Sequence, residues 1–90
     1  MGRNTKASFI AKIRFMDVAE TRHPTSGRAW RRYRERSAFW ELKASSAGEA
    51  KAVMEQMVRC PEDLEKIFAG SQFFPYPDEI ISVSIYQEAP

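Results

Sequence analysis

The chain has 90 residues, of which 43% are hydrophobic and 29% charged, with a formal net charge of +2. These values are typical of a single globular domain over residues 1–90, and we expect flexible ends at 1–6 and 88–90. A single cysteine excludes an internal disulfide and favours a cytoplasmic location. Because no apolar run of ~18 residues and no apolar leader occurs, we expect neither a membrane span nor a signal peptide.

The net charge conceals an asymmetry between the two halves of the chain. Residues 1–43 carry eleven Lys and Arg against four Asp and Glu, a net charge of +7. Residues 44–90 carry three Lys and Arg against eight Asp and Glu, a net charge of −5. Such a split indicates that one element faces an acidic partner, or that opposite charges pair inside the domain or between copies.

Residues 7–18 alternate apolar with polar side chains, which predicts a strand with Phe9, Ala11, Ile13 and Phe15 on one face. Lys12 and Arg14 lie on the other face, either as a secondary basic surface or as solvated charges. The following TRHPTSG at 21–27 has the composition of a loop. It makes the next strand antiparallel to the first.

Residues 29–44 predict a long second strand, in which Ala38, Trp40 and Leu42 form the apolar face. Continued backwards, this alternation places Arg32, Arg34 and Arg36 on the core side, where an unpaired arginine is too costly to bury. A β-bulge near 34–37 can reverse the phase and turn Tyr33 inward. Alternatively, residues 28–36 project beyond the core as an arm in water on both faces, or 29–37 form a short helix.

Two helices are predicted next. The S-x-x-E capping box at 46–49 starts the first helix. Its apolar stripe is expected to pack in the core and comprises Ala50, Val53, Met54, Met57 and Val58. Cys60-Pro61 ends this first helix, and Pro61 begins a short second helix that runs to Phe68. We expect Leu64, Ile67 and Phe68 to point inward and Gly70 to be the C-cap.

The connection at 71–78 (SQFFPYPD) carries Phe73, Phe74 and Tyr76, which either cover the open end of the core or form an exposed patch. Residues 80–86 predict the last strand, which directs inward Ile81, Val83 and Ile85. The expected fold is therefore α+β: a small antiparallel sheet of about three strands in ββααβ order, with one long and one short helix on one face. The last strand can pair beside the first or the second.

The residues needed for catalysis or cofactor binding are sparse. One histidine and one cysteine, His23 and Cys60, do not form a metal site of recognisable spacing. A catalytic Cys60–His23 dyad is formally possible, but burial is the usual fate of a cysteine at a helix junction. The glycine-rich motifs of phosphate-binding loops are absent from the sequence. We therefore expect no enzyme activity, no cofactor, no metal and no small-molecule substrate.

The segment at 28–36, RAWRRYRER, is the candidate binding site. Five of its nine residues are arginine. The planar guanidinium of arginine binds a carboxylate or a phosphate through two parallel hydrogen bonds. Tryptophan and tyrosine beside arginine are typical of protein hot spots and of base-stacking surfaces. The predicted partner-binding residues are Arg28, Trp30, Arg31, Arg32, Tyr33, Arg34 and Arg36.

The run FWELKASSAGEAKAVMEQM at 39–57, together with the small size, resembles the small α+β proteins that bacteriophages and mobile elements use against host defences, anti-CRISPR proteins among them. The resemblance is one of pattern, without a shared motif. It implies an inhibitor that acts in the host cytoplasm by blocking a surface of a host complex. Many of these proteins use acidic surfaces, and the basic segment here departs from that pattern.

The sequence thus predicts a non-enzymatic binding protein, an inhibitor or regulator, that engages an acidic protein surface through residues 28–36. The alternative is direct binding of DNA or RNA by the same residues. The charge split and an exposed strand edge also allow a homodimer.

Overall fold

A computed structural model describes residues 6–22 and 25–87. The elements are β1 (Ala7–Arg22), β2 (Ala29–Ala44), α1 (Ala47–Met57), α2 (Pro61–Ile67), a single 3-10 turn (Pro77–Glu79) and β3 (Ile80–Gln87). This order confirms the predicted α+β fold. The expected flexible ends fall on residues that, except for Lys6, lie outside the described part, and so do His23 and Pro24.

The three strands form one antiparallel sheet in the order β2-β1-β3, so the first strand is central. β1 pairs with β2 without interruption, from Ala7 opposite Ala44 to Arg22 opposite Ala29. β1 therefore continues beyond the predicted end at residue 18, because β2 supplies a backbone partner for each added residue. β3 pairs with the other side of β1 only as far as Phe15, so residues 16–22 have β2 as their one neighbour.

The core lies between one face of the sheet and the two helices. The larger buried cluster contains residues of β1, of both helices and the residue that follows each helix: Ala11, Ile13, Phe15, Met54, Val58, Leu64 and Phe68. Phe15 packs edge-on against Phe68, with ring centroids 5.0 Å apart. Burial of each such ring contributes about 1.5–3 kcal/mol, which makes this contact a main source of stability.

Helix α1 starts where the capping box predicted. The Glu49 backbone N donates to Ser46 Oγ at 3.1 Å, while the Glu49 carboxylate turns back to accept from the backbone N of Ser45 at 3.3 Å. Of the predicted stripe, Ala50, Met54 and Val58 are buried and Met57 is half-buried, but Val53 is 41% exposed. Its inward placement was wrong because residues spaced by four face the sheet, and Val53 lies on the flank of that narrower stripe.

Helix α2 begins at Pro61 as predicted, and Gly70 adopts a φ of 79° just after it, a conformation that favours glycine. In the following connection, Phe73 covers the core and lies 5.9 Å from the Phe15 ring centroid. Phe74 and Tyr76 are instead 64% and 70% exposed. The alternation of an extended chain explains this division, since Pro75 between them is buried.

One strand position was predicted with the wrong orientation. The pairing of β1 with β3 shifts between Arg14 and Phe15, so that Phe15 lies opposite Ile80. Ile80 therefore packs against the core, and Ile81 is 45% exposed, contrary to its predicted inward position. The extra residue of this bulge changes the phase, while Val83 and Ile85 keep the predicted contact with the core.

The uninterrupted register of β2 excludes two of the three alternatives for residues 28–36, the bulge near 34–37 and the short helix. The hairpin instead extends beyond the core. The molecule measures 70 × 25 × 21 Å, and its radius of gyration is 16.9 Å, against about 12 Å for a compact 90-residue domain. The projecting hairpin accounts for this excess.

Candidate functional site

The candidate site is the projecting end of the β1–β2 hairpin, which we call the arm and define as residues 16–22 and 29–35. Seven residue pairs give it a length of roughly 23 Å. All described side chains at 18–20 and 25–35 are exposed. Within the described part of the chain, no helix or third strand covers either face, so these side chains meet solvent on both sides.

Residues directly opposite each other in an antiparallel pair project from the same face of the sheet. The register therefore assigns Trp30, Arg32 and Arg34 to the face that carries the helices farther along the sheet, which we call the inner face. Arg31 and Tyr33 lie on the outer face. The arm thus distributes the predicted binding residues over two surfaces.

Two ion pairs join β1 to β2 at the base of the arm, one on each face. On the inner face, Arg36 Nε donates to Asp17 Oδ2 at 2.8 Å, and the Arg36 guanidinium lies 4.5 Å from the Phe73 ring centroid. On the outer face, Arg14 pairs with Glu35. Arg36 is half-buried by these contacts, so it fastens the arm to the core, whereas the other residues of the predicted set are exposed.

The remaining arginines of the arm retain their charge for a partner. Within the described residues, the side chains of Arg31, Arg32 and Arg34 form no ion pair or hydrogen bond. Asp17 lies opposite Arg34 but binds Arg36 instead. An exposed guanidinium with five unused donors binds a carboxylate or phosphate through two parallel hydrogen bonds.

Each face of the arm combines an aromatic ring with free positive charge. Trp30 is 44% exposed on the inner face, two residues from Arg32. Tyr33 is 63% exposed on the outer face, opposite Val18. Arg28 precedes the strand and is exposed, and its backbone N donates to Ser26 Oγ at 3.3 Å. Tryptophan, tyrosine and arginine are the residues enriched in protein interfaces.

The secondary basic residues lie apart from the arm, on the outer face of the three-stranded part of the sheet. Lys12 is half-buried and stands between Phe39 and Ser84 in the register, while the Arg14 charge is neutralised by Glu35. The structure therefore does not join this pair with the arm arginines into one continuous basic surface. The anchoring roles of Asp17 and Phe73 had no signal in the sequence, since both depend on how the strands and the aromatic connection meet.

The two charged halves do not neutralise each other through ion pairs in the described part of the chain. Both ion pairs there lie within the basic half, between β1 and β2. The exposed carboxylates of the helices, such as Glu55 and Glu62, thus remain separate from the arm arginines. The positive charge of the arm is consequently available to something outside this chain.

One titrating group of the described residues has a shifted pKa, and the cause is structural. Hydrogen bonds from the Ser45 hydroxyl and backbone N lower the pKa of Glu49, as expected at the positive end of a helix. Cys60 is half-buried at the start of α2. Over residues 6–22 and 25–87, no three His, Cys, Asp or Glu side chains come together in a group that suits a metal ion.

No family model, curated protein or solved structure matches this chain. Among the described helices, none has both the length and the apolar character needed to cross a membrane. The geometry and charge of the arm are therefore the observations that bear on function.

Proposed function

We propose that the protein is a non-catalytic binding protein, an inhibitor or regulator, whose arm inserts into an acidic cleft on a partner protein. The observation that carries this proposal is the presence of free arginines and an exposed aromatic ring on both faces of the arm. A hairpin with side chains exposed on both faces buries the most surface in a partner that surrounds it. The contact residues are Arg28, Trp30, Arg31, Arg32, Tyr33 and Arg34.

The composition of the arm favours a protein partner over a phosphate backbone. Val18 and Tyr33 form an apolar pair on the outer face, and Glu20 lies beside them opposite Arg31. A carboxylate such as that of Glu20 repels phosphate, whereas a protein cleft can match apolar, basic and acidic groups separately. An anti-defence role of the anti-CRISPR type, in which the arm blocks a host protein, belongs to this proposal.

Direct binding of nucleic acid is a second candidate, favoured by the shape of the arm. A two-stranded ribbon is narrow enough to enter the major groove of B-DNA, which is about 12 Å wide. Arg31, Arg32 and Arg34 then neutralise phosphates, and each contact steepens the fall of affinity with salt by about 0.9 log units per log unit of salt. This salt dependence distinguishes the two candidates.

Affinity capture with matched charge variants tests the protein-binding proposal. The arm variant carries Arg31→Gln, Arg32→Gln and Arg34→Gln, and the control carries Lys51→Gln, Arg59→Gln and Lys66→Gln. The control removes the same charge from exposed positions of the acidic half. We expect the wild type and the control to retain a protein after nuclease treatment, and the arm variant to lose it. Equal retention by the two variants contradicts the proposal.

Titration with labelled single- and double-stranded DNA and RNA tests the second candidate. Binding at ~50 mM salt that weakens roughly 40-fold at ~200 mM, as three phosphate contacts predict, and that the arm variant loses, indicates nucleic acid as the partner. The absence of binding at ~50 mM salt excludes this candidate.

A further inference from the structure

The outer face of the three-stranded part of the sheet is a second surface that lacks a covering layer. Both helices pack on the inner face, against the side chains of Ala11, Ile13 and Phe15. On the outer face, Phe39 is 65% exposed and Tyr86 is 54% exposed. Sheets in small α+β domains bury one face and expose polar groups on the other, so these exposed rings are unexpected. We call this surface the open face.

The register fixes how the open face is arranged. Ile10 of the central strand lies between Glu41 and Tyr86, and the next row on this face has Lys12 between Phe39 and Ser84. Phe39 and Tyr86 thus occupy neighbouring rows on opposite edge strands, with Ile10 and Lys12 between them. Three strands of about eight residues cover on the order of 400 Å². Phe39, Tyr86 and Ile10 supply the apolar part of this area, and lysine, glutamate and serine side chains supply the rest. Exposed aromatic rings are enriched in protein interfaces.

The charges on the open face favour a partner that is itself nearly neutral. Lys12 and Lys43 are the cations without an ion pair among its described residues, and Glu41 lies between them on the same face. Arg14 is already paired with Glu35. Nucleic acid requires several uncompensated cations, which this face lacks. A face that carries exposed rings together with lysine and glutamate side chains can instead pair each sign of charge with its opposite on a second copy.

We propose that the open face binds a second copy of this chain in a two-fold symmetric dimer. A two-fold contact brings the same patch together from both chains. It buries Phe39 and Tyr86 of each copy and brings Glu41 of one copy to Lys12 or Lys43 of the other. Because the arm begins beyond this patch, the dimer leaves both arms accessible. The dimer does not depend on the function proposed for the arm, and it would present two arms to a partner.

Sedimentation equilibrium of the purified chain from ~2 to ~500 μM tests this proposal. We expect a reversible dimer with a dissociation constant on the order of 10–100 μM, because the patch is small for a stable interface. The variant Phe39→Ser/Tyr86→Ser should weaken this dissociation constant at least ~10-fold, since aromatic side chains dominate such contacts.

The matched control is Phe74→Ser/Tyr76→Ser, which removes the same two residue types at 64% and 70% exposure from the connection before β3. We expect the control to change the dissociation constant less than ~2-fold. Circular dichroism establishes that both variants remain folded. A monomer at ~500 μM overturns the proposal. It is also overturned by a dimer that both variants weaken equally, or by a dimer that survives Phe39→Ser/Tyr86→Ser, which must then use another surface such as the β2 edge.

Discussion

The two ends of the β1–β2 hairpin share the same strands and an unbroken register but have opposite environments. At the core end, β1 has a strand on each side, and Phe9, Ile13 and Phe15 are buried. In the arm, β1 has one neighbour, and the described side chains from Val18 to Glu35 are exposed. Strand formation here therefore does not require burial, because hydrogen bonds to the facing strand are sufficient to continue it.

An isolated two-stranded hairpin is only marginally stable in water. Cross-strand pairs such as Val18 with Tyr33 contribute roughly 0.2–1 kcal/mol each. The arm is thus held by its continuity with the core end and by the contacts of Arg36 with Asp17 and Phe73 at its base. A rigid base with an exposed end suits an element that presents side chains to a partner.

The largest expected difference between the buried and exposed faces concerns phenylalanine. Phe15→Ala should lower the free energy of unfolding by about 3–5 kcal/mol, because it leaves a cavity beside Phe68 and Phe73. Phe39→Ala, in the neighbouring strand but 65% exposed, should cost less than about 1 kcal/mol. Urea denaturation measured at a concentration where the chain is monomeric gives both values. Similar losses would mean that the open face is part of the folding core.

The two tryptophans of β2 give the corresponding comparison along one strand. Trp40 packs half-buried against the core, so Trp40→Ala should cost about 3 kcal/mol, the lower end for a buried tryptophan. Trp30→Ala should cost about 1 kcal/mol or less, since Trp30 lies in the arm at 44% exposure. Thermal unfolding of the two variants compares them directly. A larger loss for Trp30 would contradict the division between arm and core.

Excision of the arm should lower the radius of gyration markedly but change the free energy of unfolding only slightly. Replacing residues 18–33 with Asn-Gly joins Asp17 to Arg34 through a two-residue turn and keeps the Arg36–Asp17 ion pair. The free energy of unfolding should change by less than about 1 kcal/mol, because no side chain of the core is removed. The radius of gyration should fall from 16.9 Å to about 11 Å, the value for a compact domain of the shortened length, as measured by small-angle X-ray scattering. An unfolded product would show that the arm supports the core.

A smaller effect is expected at the base of the arm. Asp17→Asn removes the carboxylate that binds Arg36, and both side chains of this pair are partly exposed, at 24% and 34%. Solvent screening limits the expected cost to about 1 kcal/mol. Hydrogen exchange should accelerate in the amides of the arm and remain unchanged in the core half of the sheet. Uniform acceleration in both parts would show that the ion pair stabilises the whole domain and not the arm alone.

The smallest effect concerns the helix cap. Because hydrogen bonds from Ser45 lower the pKa of Glu49, its carboxylate contributes stability at pH values above its unfolded pKa. This contribution is lost as the pH falls through the lower folded pKa. The stability difference between the wild type and Glu49→Gln should therefore disappear under acidic conditions. Denaturation across pH 2–7 measures it, with Glu55→Gln as a control on the same helix. A difference that grows with acidity would contradict the cap assignment.

Much of the fold followed from short-range patterns. The bounds of β2, the start of α1 at the Ser46 cap and the start of α2 at Pro61 were predicted correctly because each is encoded by neighbouring residues. Val53 and Ile81 were misplaced because their orientation depends on the width of the helix stripe in contact with the sheet and on a bulge against β1. No local pattern encodes either feature.

The sequence by itself determined that the arginines at 28–36 cannot lie unpaired in the core, since their burial would cost too much. Only the tertiary structure decided how the chain avoids that cost. The hairpin extends beyond the helices, and Arg36 at its base contacts Asp17 and Phe73. Arg31, Arg32 and Arg34 are thereby left on the two exposed faces of the arm. The strand order β2-β1-β3 was likewise decided by the tertiary structure, because the alternation of β3 fits equally well beside either strand of the hairpin.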